Sequence, residues 1–312
     1  MAGAASTPGS IQIVIVNWNT GDFLRRCLRS IGPAAARPDV DLVGVTVIDN
    51  ASVDGSAVEL GDLDLPLTVV CNRTNVGFAA ACDQGAAKSE SDYLLFLNPD
   101  TELDPEALAL VTAFMDERGN QRVGICGAQV LHPDGAPAIS CSRFPTPRMM
   151  FGKMTGLSRL LPRWFPEHHL RPEETRTSGF VDQVIGAFFF VRRPLFEALE
   201  GFDTKYFIYY EEVDFSLRAR EHGFGSYFLR EARVIHFESV SAGQAIDLRL
   251  YHSLHSRSLY VRRHWSCRQA VLLVVLTFAV ELPARVLVGL VGGRMSEVRA
   301  VASTYRRLLR AP

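Results

Sequence analysis

Glu211, Glu212 and Asp214 place three carboxylates within four positions, directly after the aromatic stretch Tyr206-Phe207-Ile208-Tyr209-Tyr210. A carboxylate that emerges from an apolar wall loses hydration, so its pKa rises and it suits general-base work. The same acids would also sit well at the positive end of a helix with no chemical role, and both readings stand at this level. Asp100, one residue past Pro99, is placed to hold a divalent cation, since magnesium usually binds through one or two protein carboxylates and the phosphates of a substrate. A lone acid after a strand serves equally well as a turn residue. His236, directly after Val234-Ile235, is either a second cation ligand or a packed histidine.

These residues need a frame. Over the first 130 residues, short β-branched runs alternate with helical patterns. Ile11–Val16, Val43–Ile48, Leu67–Cys71 and Tyr93–Leu97 read as strands, and Val123–Gly127 closes the series. Thr20 is placed to cap a helix with Phe23, Leu24, Cys27, Leu28 and Ile31 on one face. Phe78–Ala87 reads as a small-residue helix, and Asp104-Pro105 as the cap and first-turn proline of a helix running to about Arg118. This rhythm predicts an α/β fold, a mostly parallel sheet covered by helices, with ligands at the carboxyl ends of its strands.

Polar residues gather at those ends. Asn17 and Asn19 follow the first strand, and Asp49, Asn50, Ser52 and Asp54 the second. Asn75 and Gly77 follow the third strand, Asn98 and Asp100 the fourth. Turn chemistry alone also favours these types, so the pattern by itself leaves two explanations. No G-x-G-x-x-G follows the first strand and no G-x-x-x-x-G-K-[ST] occurs, which argues against a dinucleotide dehydrogenase or a P-loop NTPase. Cys141 to Ser178 reads as an irregular, proline-rich excursion over the site, with Phe144, Trp164 and Phe165 expected at its surface. Val184–Val191 is predicted as one apolar strand. The acids open a helix reaching about His222 and ended by Gly223, and two short strands follow, Ser226–Leu229 and Val234–Ile235.

Composition sets the outer bounds. A chain of 312 residues, 47% hydrophobic and 21% charged, is neither disordered nor a disulfide miniprotein. Its net charge of −1 argues against a whole-chain grip on nucleic acid. The charge is uneven: residues 241–312 carry eleven Arg against three acids, a net +8, which leaves −9 on residues 1–240. Six scattered cysteines form no CxxC pair, so a reducing compartment is expected, and residues 1–10 lack the basic start of a signal peptide. Ala270 to Val280 is apolar but interrupted by Thr277, and Glu281, Pro283 and Arg285 follow before Val286–Val291 resumes. Eleven residues of helix reach only about 16 Å, so the segment is expected to lie in the surface of an anionic membrane rather than cross it. The alternative is packing against the catalytic domain or a second subunit.

The motifs together resemble inverting glycosyltransferase family 2, in its rhamnosyltransferase-like branch. They are Val14-Ile15-Val16-Asn17-Trp18-Asn19, Val47-Ile48-Asp49-Asn50-Ala51-Ser52-Val53-Asp54-Gly55-Ser56, Asn72-Arg73-Thr74-Asn75-Val76-Gly77-Phe78-Ala79, Leu97-Asn98-Pro99-Asp100-Thr101, Gly201-Phe202-Asp203 and Tyr210-Glu211-Glu212-Val213-Asp214-Phe215. The resemblance implies a GT-A fold that binds a nucleoside diphosphate sugar. It implies Asn17 and Asp49 in the nucleotide pocket, Asn75 and Gly77 near ribose and diphosphate, and a divalent cation (Mg or Mn) on Asp100 and His236. Asn98-Pro99-Asp100 stands where the family has Asp-x-Asp, with only the last carboxylate present. The family's base corresponds to Glu212, with Glu211 and Asp214 as rivals, and Gly186-Ala187 would leave room for sugar rings.

The implied organisation is a catalytic domain over residues 1–240. Within it, 11–130 form the nucleotide-sugar half, 141–178 an acceptor-side excursion and 179–240 the catalytic half, with a helical tail over 241–312. The expected partners are the sugar donor, with dTDP-rhamnose the best single guess, and a glycan or polyprenyl-linked acceptor. The place is the cytoplasm or the cytoplasmic face of the membrane. The rival reading is a non-catalytic sugar-nucleotide-binding or scaffold subunit.

Overall fold

Strands rich in Val, Ile, Leu and Phe, buried on both faces, build the centre of the protein. The computed structural model describes residues 8–238 and 246–310. The first half runs β1 (Ser10–Asn17), α1 (Asp22–Ala35), β2 (Asp41–Asp49), β3 (Leu67–Cys71), α2 (Phe78–Ala86), β4 (Tyr93–Leu97), β5 (Thr101–Leu103), α3 (Ala107–Asp116) and β6 (Val123–Leu131). The second runs β7 (Cys141–Ser142), α4 (Pro147–Thr155), α5 (Leu157–Leu160), β8 (Gly179–Val181), β9 (Gln183–Val184), β10 (Phe188–Arg192), α6 (Arg193–Ala198), α7 (Glu211–Glu221) and β11 (Gly225–His236). Then follow α8 (Ile246–His264), α9 (Cys267–Leu276), α10 (Leu282–Val291) and α11 (Met295–Leu308).

The sheet order is β3-β2-β1-β4-β10-β6-β11-β5, with β8 also on β11. The strands β3, β2, β1 and β4 are parallel to their neighbours, so their carboxyl ends share one edge. β10 enters antiparallel between β4 and β6. Alternation along β1 sorts the core: Ile11, Ile13 and Ile15 face α1 and α3, while Val14 and Val16 face α2, α6 and α7.

Several local expectations are corrected. Thr20 does not cap α1; its hydroxyl donates to Asn17 Oδ1 at 2.5 Å, and Gly21 precedes the helix. Asp104 accepts from Glu106 N two residues ahead of α3, which begins at Ala107 and ends at Asp116 before a short 3-10 turn. The apolar run at 184–191 is broken, because Ile185-Gly186-Ala187 leave the ladder between β9 and β10. The two short strands expected after α7 are one, β11, whose register shifts between Leu229 and Arg233. The 141–178 segment carries α4 and α5, and Phe144 is buried while Trp164 is exposed. Phe144, Met150 and Met154 join Tyr206, Val213, Leu217, Tyr260, Val261 and Leu273 in a third cluster, so this segment is packed between α7, α8 and α9. The expected join between domain and tail at 240/241 lies outside the described residues.

The expected interruption of the apolar tail is absent. α9 passes through a π-helical turn (Thr277–Glu281) into α10, making one helical stretch, Cys267–Val291. The turn places Glu281 inward, where Oε2 accepts from Arg257 at 2.7 Å and Oε1 from Arg285 at 2.7 Å, with Thr277 Oγ1 also bonded to Arg257. Arg257 and Glu281 are both buried, and Glu281 also has Arg285, so it is removal of Glu281 that leaves a charge, Arg257, unpaired in an apolar setting. Glu281→Leu should therefore lower stability by about 3 kcal/mol in a denaturant melt. The double change with Arg257→Met should recover most of that loss.

Candidate active site

The carboxyl edge of the parallel strands is a hydrogen-bonded polar web. Asn17, fully buried at the end of β1, donates through Nδ2 to Asp49 Oδ1 at 2.7 Å, Ser56 Oγ at 2.8 Å and Ser52 Oγ at 3.1 Å. Asp49 Oδ2 in turn accepts from Ser52 N at 3.0 Å. Asn19, in a left-handed conformation (φ 52), accepts from Val53 N and donates its own N–H to Ser52. Asp54 accepts from Gly21 N and from both the amide and hydroxyl of Ser56. Burial opposes its charge, but these donors outweigh that and lower its pKa.

Next along the edge, Asn50 donates to Gly77 O at 3.1 Å and accepts from Asn72, which also bonds Gln84. Asn75 Oδ1 accepts from Gly77 N. Gly77 requires glycine twice over: its φ is 91, and a Cβ there would stand 2.6 Å from the Phe207 carbonyl. That carbonyl accepts from Phe78 N, so this turn is fastened to the aromatic loop that leads into the acids.

Two residues 136 apart in sequence meet where β5 pairs with β11. His236 lies opposite Thr101, and its Nε2 stands 3.2 Å from Asp100 Oδ1. Asn98 Nδ2 lies 3.5 Å from the same nitrogen. A carboxylate and an imidazole so close together suit a cation such as manganese or magnesium. Among the described residues no group of three His, Cys, Asp or Glu forms a complete cage, so the set fits a cation whose remaining ligands come from substrate phosphates.

The catalytic half is joined at the same place. Asn98 N donates to Ala187 O at 3.1 Å, and a Cβ on Gly186 would lie 3.9 Å from Glu212 Cγ. Glu211 and Glu212 open α7 after two consecutive left-handed residues, Tyr209 (φ 70) and Tyr210 (φ 72). Such a conformation is costly for bulky residues and persists only where surroundings impose it. Here Tyr210 packs against Tyr260, and Ser256 donates to Ile208 O, so α8 supplies the constraint.

Partners separate the three acids. Glu211 Oε2 and Glu212 Oε2 are both buried without a hydrogen-bond partner. Desolvation raises both pKa values, and for Glu211 the neighbouring Glu212 charge adds to the rise. Asp214 points elsewhere. It bonds Arg218 at 2.7 Å and His264 at 2.7 Å and lies 3.4 Å from Arg263. Burial works against its charge, but these partners prevail and hold its pKa low.

Some residues at the site escaped the reading of the sequence. Asp83, on α2, accepts from Phe202 N and sits where a Gly201 side chain would fall. Burial pushes its pKa up to about 6. Ser56 and Thr20 complete the Asn17 web, and Arg263 and His264 reach Asp214 from α8. Only Ser56 lay inside a recognised motif; Thr20 was read as a helix cap, and Asp83, Arg263 and His264 belong to no local pattern.

This sheet order, with its polar carboxyl edge and buried glutamates, defines the chain as a glycosyltransferase of the GT-A architecture. Residues 12–197 match the family described as Glycosyl transferase family 2, and the chain belongs to it. It is 27% identical over 268 residues to the N-acetylglucosaminyl-diphospho-decaprenol L-rhamnosyltransferase of Mycobacterium tuberculosis, covering 80% of this chain and 83% of that one. It is 26% identical over 154 residues to rhamnosyltransferase WbbL of Escherichia coli, covering 48% of this chain and 53% of that one. Among solved structures, the mannosyltransferase PcManGT from Pyrobaculum calidifontis, in complex with GDP-Man and Mn2+, shares the fold. Its TM-score is 0.58 over 98% of this chain and 89% of that one, at 14% identity.

The buried Glu211 gives a prediction with a definite sign. Its native pKa lies above the usual value of 4.5, so the folded state keeps its proton after the unfolded chain has lost it. Stability from this group is present at low pH and is lost as pH rises past that value. Glu211→Gln does not titrate. The melting temperature of the variant minus that of the wild type should therefore climb from pH 5 to pH 8, and a flat difference would refute the burial argument.

Proposed function

We propose that this chain moves a sugar from a nucleoside diphosphate donor to a hydroxyl of a glycan or polyprenyl-linked acceptor, with inversion at the anomeric carbon. The donor we assign is dTDP-rhamnose and the setting is surface-polysaccharide synthesis at the cytoplasmic face of a membrane. The similarity to rhamnosyltransferases, one of them named for a decaprenol-linked substrate, supports this choice. The observation that carries the reaction type is the single line of contacts from Asp100–His236 through Asn98–Ala187 to Gly186 and Glu212.

In this reading the web around Asn17, Asp49, Asn50 and Asn75 holds the nucleoside, and Asp100 with His236 faces the diphosphate. A divalent cation bound there would supply Lewis-acid stabilisation of the departing phosphate. Gly186 lies beside Glu212, where a Cβ would stand 3.9 Å from its Cγ, and this is the side we assign to the acceptor. Glu212 is the base rather than Glu211 because it adjoins Gly186 and is less buried; Asp214 is already committed to Arg218 and His264. The Glu212 carboxylate takes the acceptor hydroxyl proton as that oxygen attacks C1 from the face opposite the nucleotide. The bond from C1 to the diphosphate oxygen breaks in the same displacement. Burial raises the basicity of Glu212, and fixed placement of both substrates supplies much of the remaining acceleration.

Glu212→Gln should reduce turnover by about 10²–10⁴-fold while donor affinity in calorimetry changes little. The wild-type rate should rise with pH along a limb displaced above the ordinary glutamate range, because only the deprotonated base works. Loss of donor binding together with turnover would instead make Glu212 a binding residue. A folded wild type that binds donor but never turns over would support the scaffold reading.

A further inference from the structure

The stretch Cys267–Val291 is long and apolar enough to cross a membrane, yet only 17% of its most apolar window is buried within the protein. Its outward positions Val271, Leu272, Val275, Leu287, Val288 and Val291 are each more than half exposed. Between Arg268 and Arg294 the sequence holds only two charges, Glu281 and Arg285, and these are paired with each other and with Arg257. The exposed face is thus a strip that is apolar at both ends of a helical stretch about 37 Å long, with Ala279, Pro283, Ala284 and the half-exposed Arg285 between. A strip of this size on a water-soluble surface marks a contact site.

The opposite face decides how the strip is used. Ala270, Leu273, Thr277, Glu281 and Gly289 are buried at helical spacing against the rest of the protein. A crossing helix would draw α8 and α11, which pack on its inner side and carry the exposed Arg262, Arg306 and Arg307, into the hydrocarbon. Lying flat satisfies both faces. The charge around the strip matches an anionic surface: Arg262 and Arg268 are exposed near one end, Arg294 and Arg299 near the other, and residues 241–312 carry a net +8. A groove of about 320 Å³ between α8 and α9, lined by Val261, Cys267, Ala270 and Val274 with Arg262 at its border, has the chemistry of an acyl chain below a phosphate.

We propose that Cys267–Val291 docks flat on an anionic lipid bilayer through this strip. Because α8 packs on α9 and also holds the loop and helix that carry Glu211 and Glu212, docking sets the catalytic site at the membrane surface. That consequence rests on the lipid-linked acceptor proposed above, but vesicle binding is read without turnover, so the two ideas fail separately.

The test is co-sedimentation of the full chain with phosphatidylglycerol vesicles and with phosphatidylcholine vesicles. The wild type should pellet with the first and not the second, and should be released by high salt with alkaline carbonate. Leu272→Glu with Leu287→Glu, at an unchanged melting temperature, should weaken binding by about tenfold or more. Equal pelleting of the variant, or no pelleting of the wild type, overturns the proposal. Retention after the carbonate wash assigns a crossing helix instead. A wild-type dimer without vesicles that the variant converts to monomer assigns the strip to a second copy.

Discussion

β10 runs antiparallel between β4 and β6, and its ladder holds Phe188 opposite Leu97 and Phe190 opposite both Leu95 and Cys126. Phe188, Phe189 and Phe190 are almost wholly buried and alternate between the two cores, so a one-residue slip would turn each ring to the wrong face. This register decides where the chain preceding β10 emerges. It brings Ala187 to the amide of Asn98 and leaves Gly186 against Glu212. The polar edge and the acids therefore meet because three phenylalanines fix one strand.

Around that junction the protein sorts its carboxylates by what each is allowed to touch. Asp214 is surrounded by Arg218, Arg263 and His264 and stays an ion with a structural task. Glu211 and Glu212, a turn away, have buried oxygens without donors, which raises the pKa of both. Two left-handed tyrosines and the packing of α8 maintain that arrangement against its own cost. Stability and reactivity are thus divided between acids only two or three positions apart.

Much of this was legible in the sequence, for physical reasons. The parallel strands show because short apolar or β-branched runs bounded by turn residues leave a strong pattern. β4, Tyr-Leu-Leu-Phe-Leu, is wholly buried, β3 is a half-exposed edge strand read from its Thr-Val-Val, and both fall on the expected residues. Their Asn and Asp ends mark the ligand edge because polar groups are costly elsewhere on a doubly covered sheet. What was hidden depends on distance or on partners. His236 was joined to Asp100 by the family resemblance and by no local pattern, and nothing joined Asp214 to Arg263 and His264. Thr20 looked like a helix cap because its type suits that role, but buried Asn17 claims its hydroxyl. The tail seemed interrupted because Glu281, Pro283 and Arg285 break the apolar run; the π-helical turn brings Glu281 to the inner side, where Arg257 and the half-exposed Arg285 pair with it.

The central claim is that one edge, assembled from residues far apart in sequence, holds a nucleoside diphosphate with the help of Asp100 and His236. Calorimetric titration of dTDP, UDP and GDP, each with and without manganese, tests it most directly. The account predicts that one nucleotide binds, that manganese strengthens the binding, and that Asp100→Asn removes the metal-dependent part alone. Equal binding with and without metal would take the Asp100–His236 pair out of the site, and no binding by the folded protein would contradict the account as a whole.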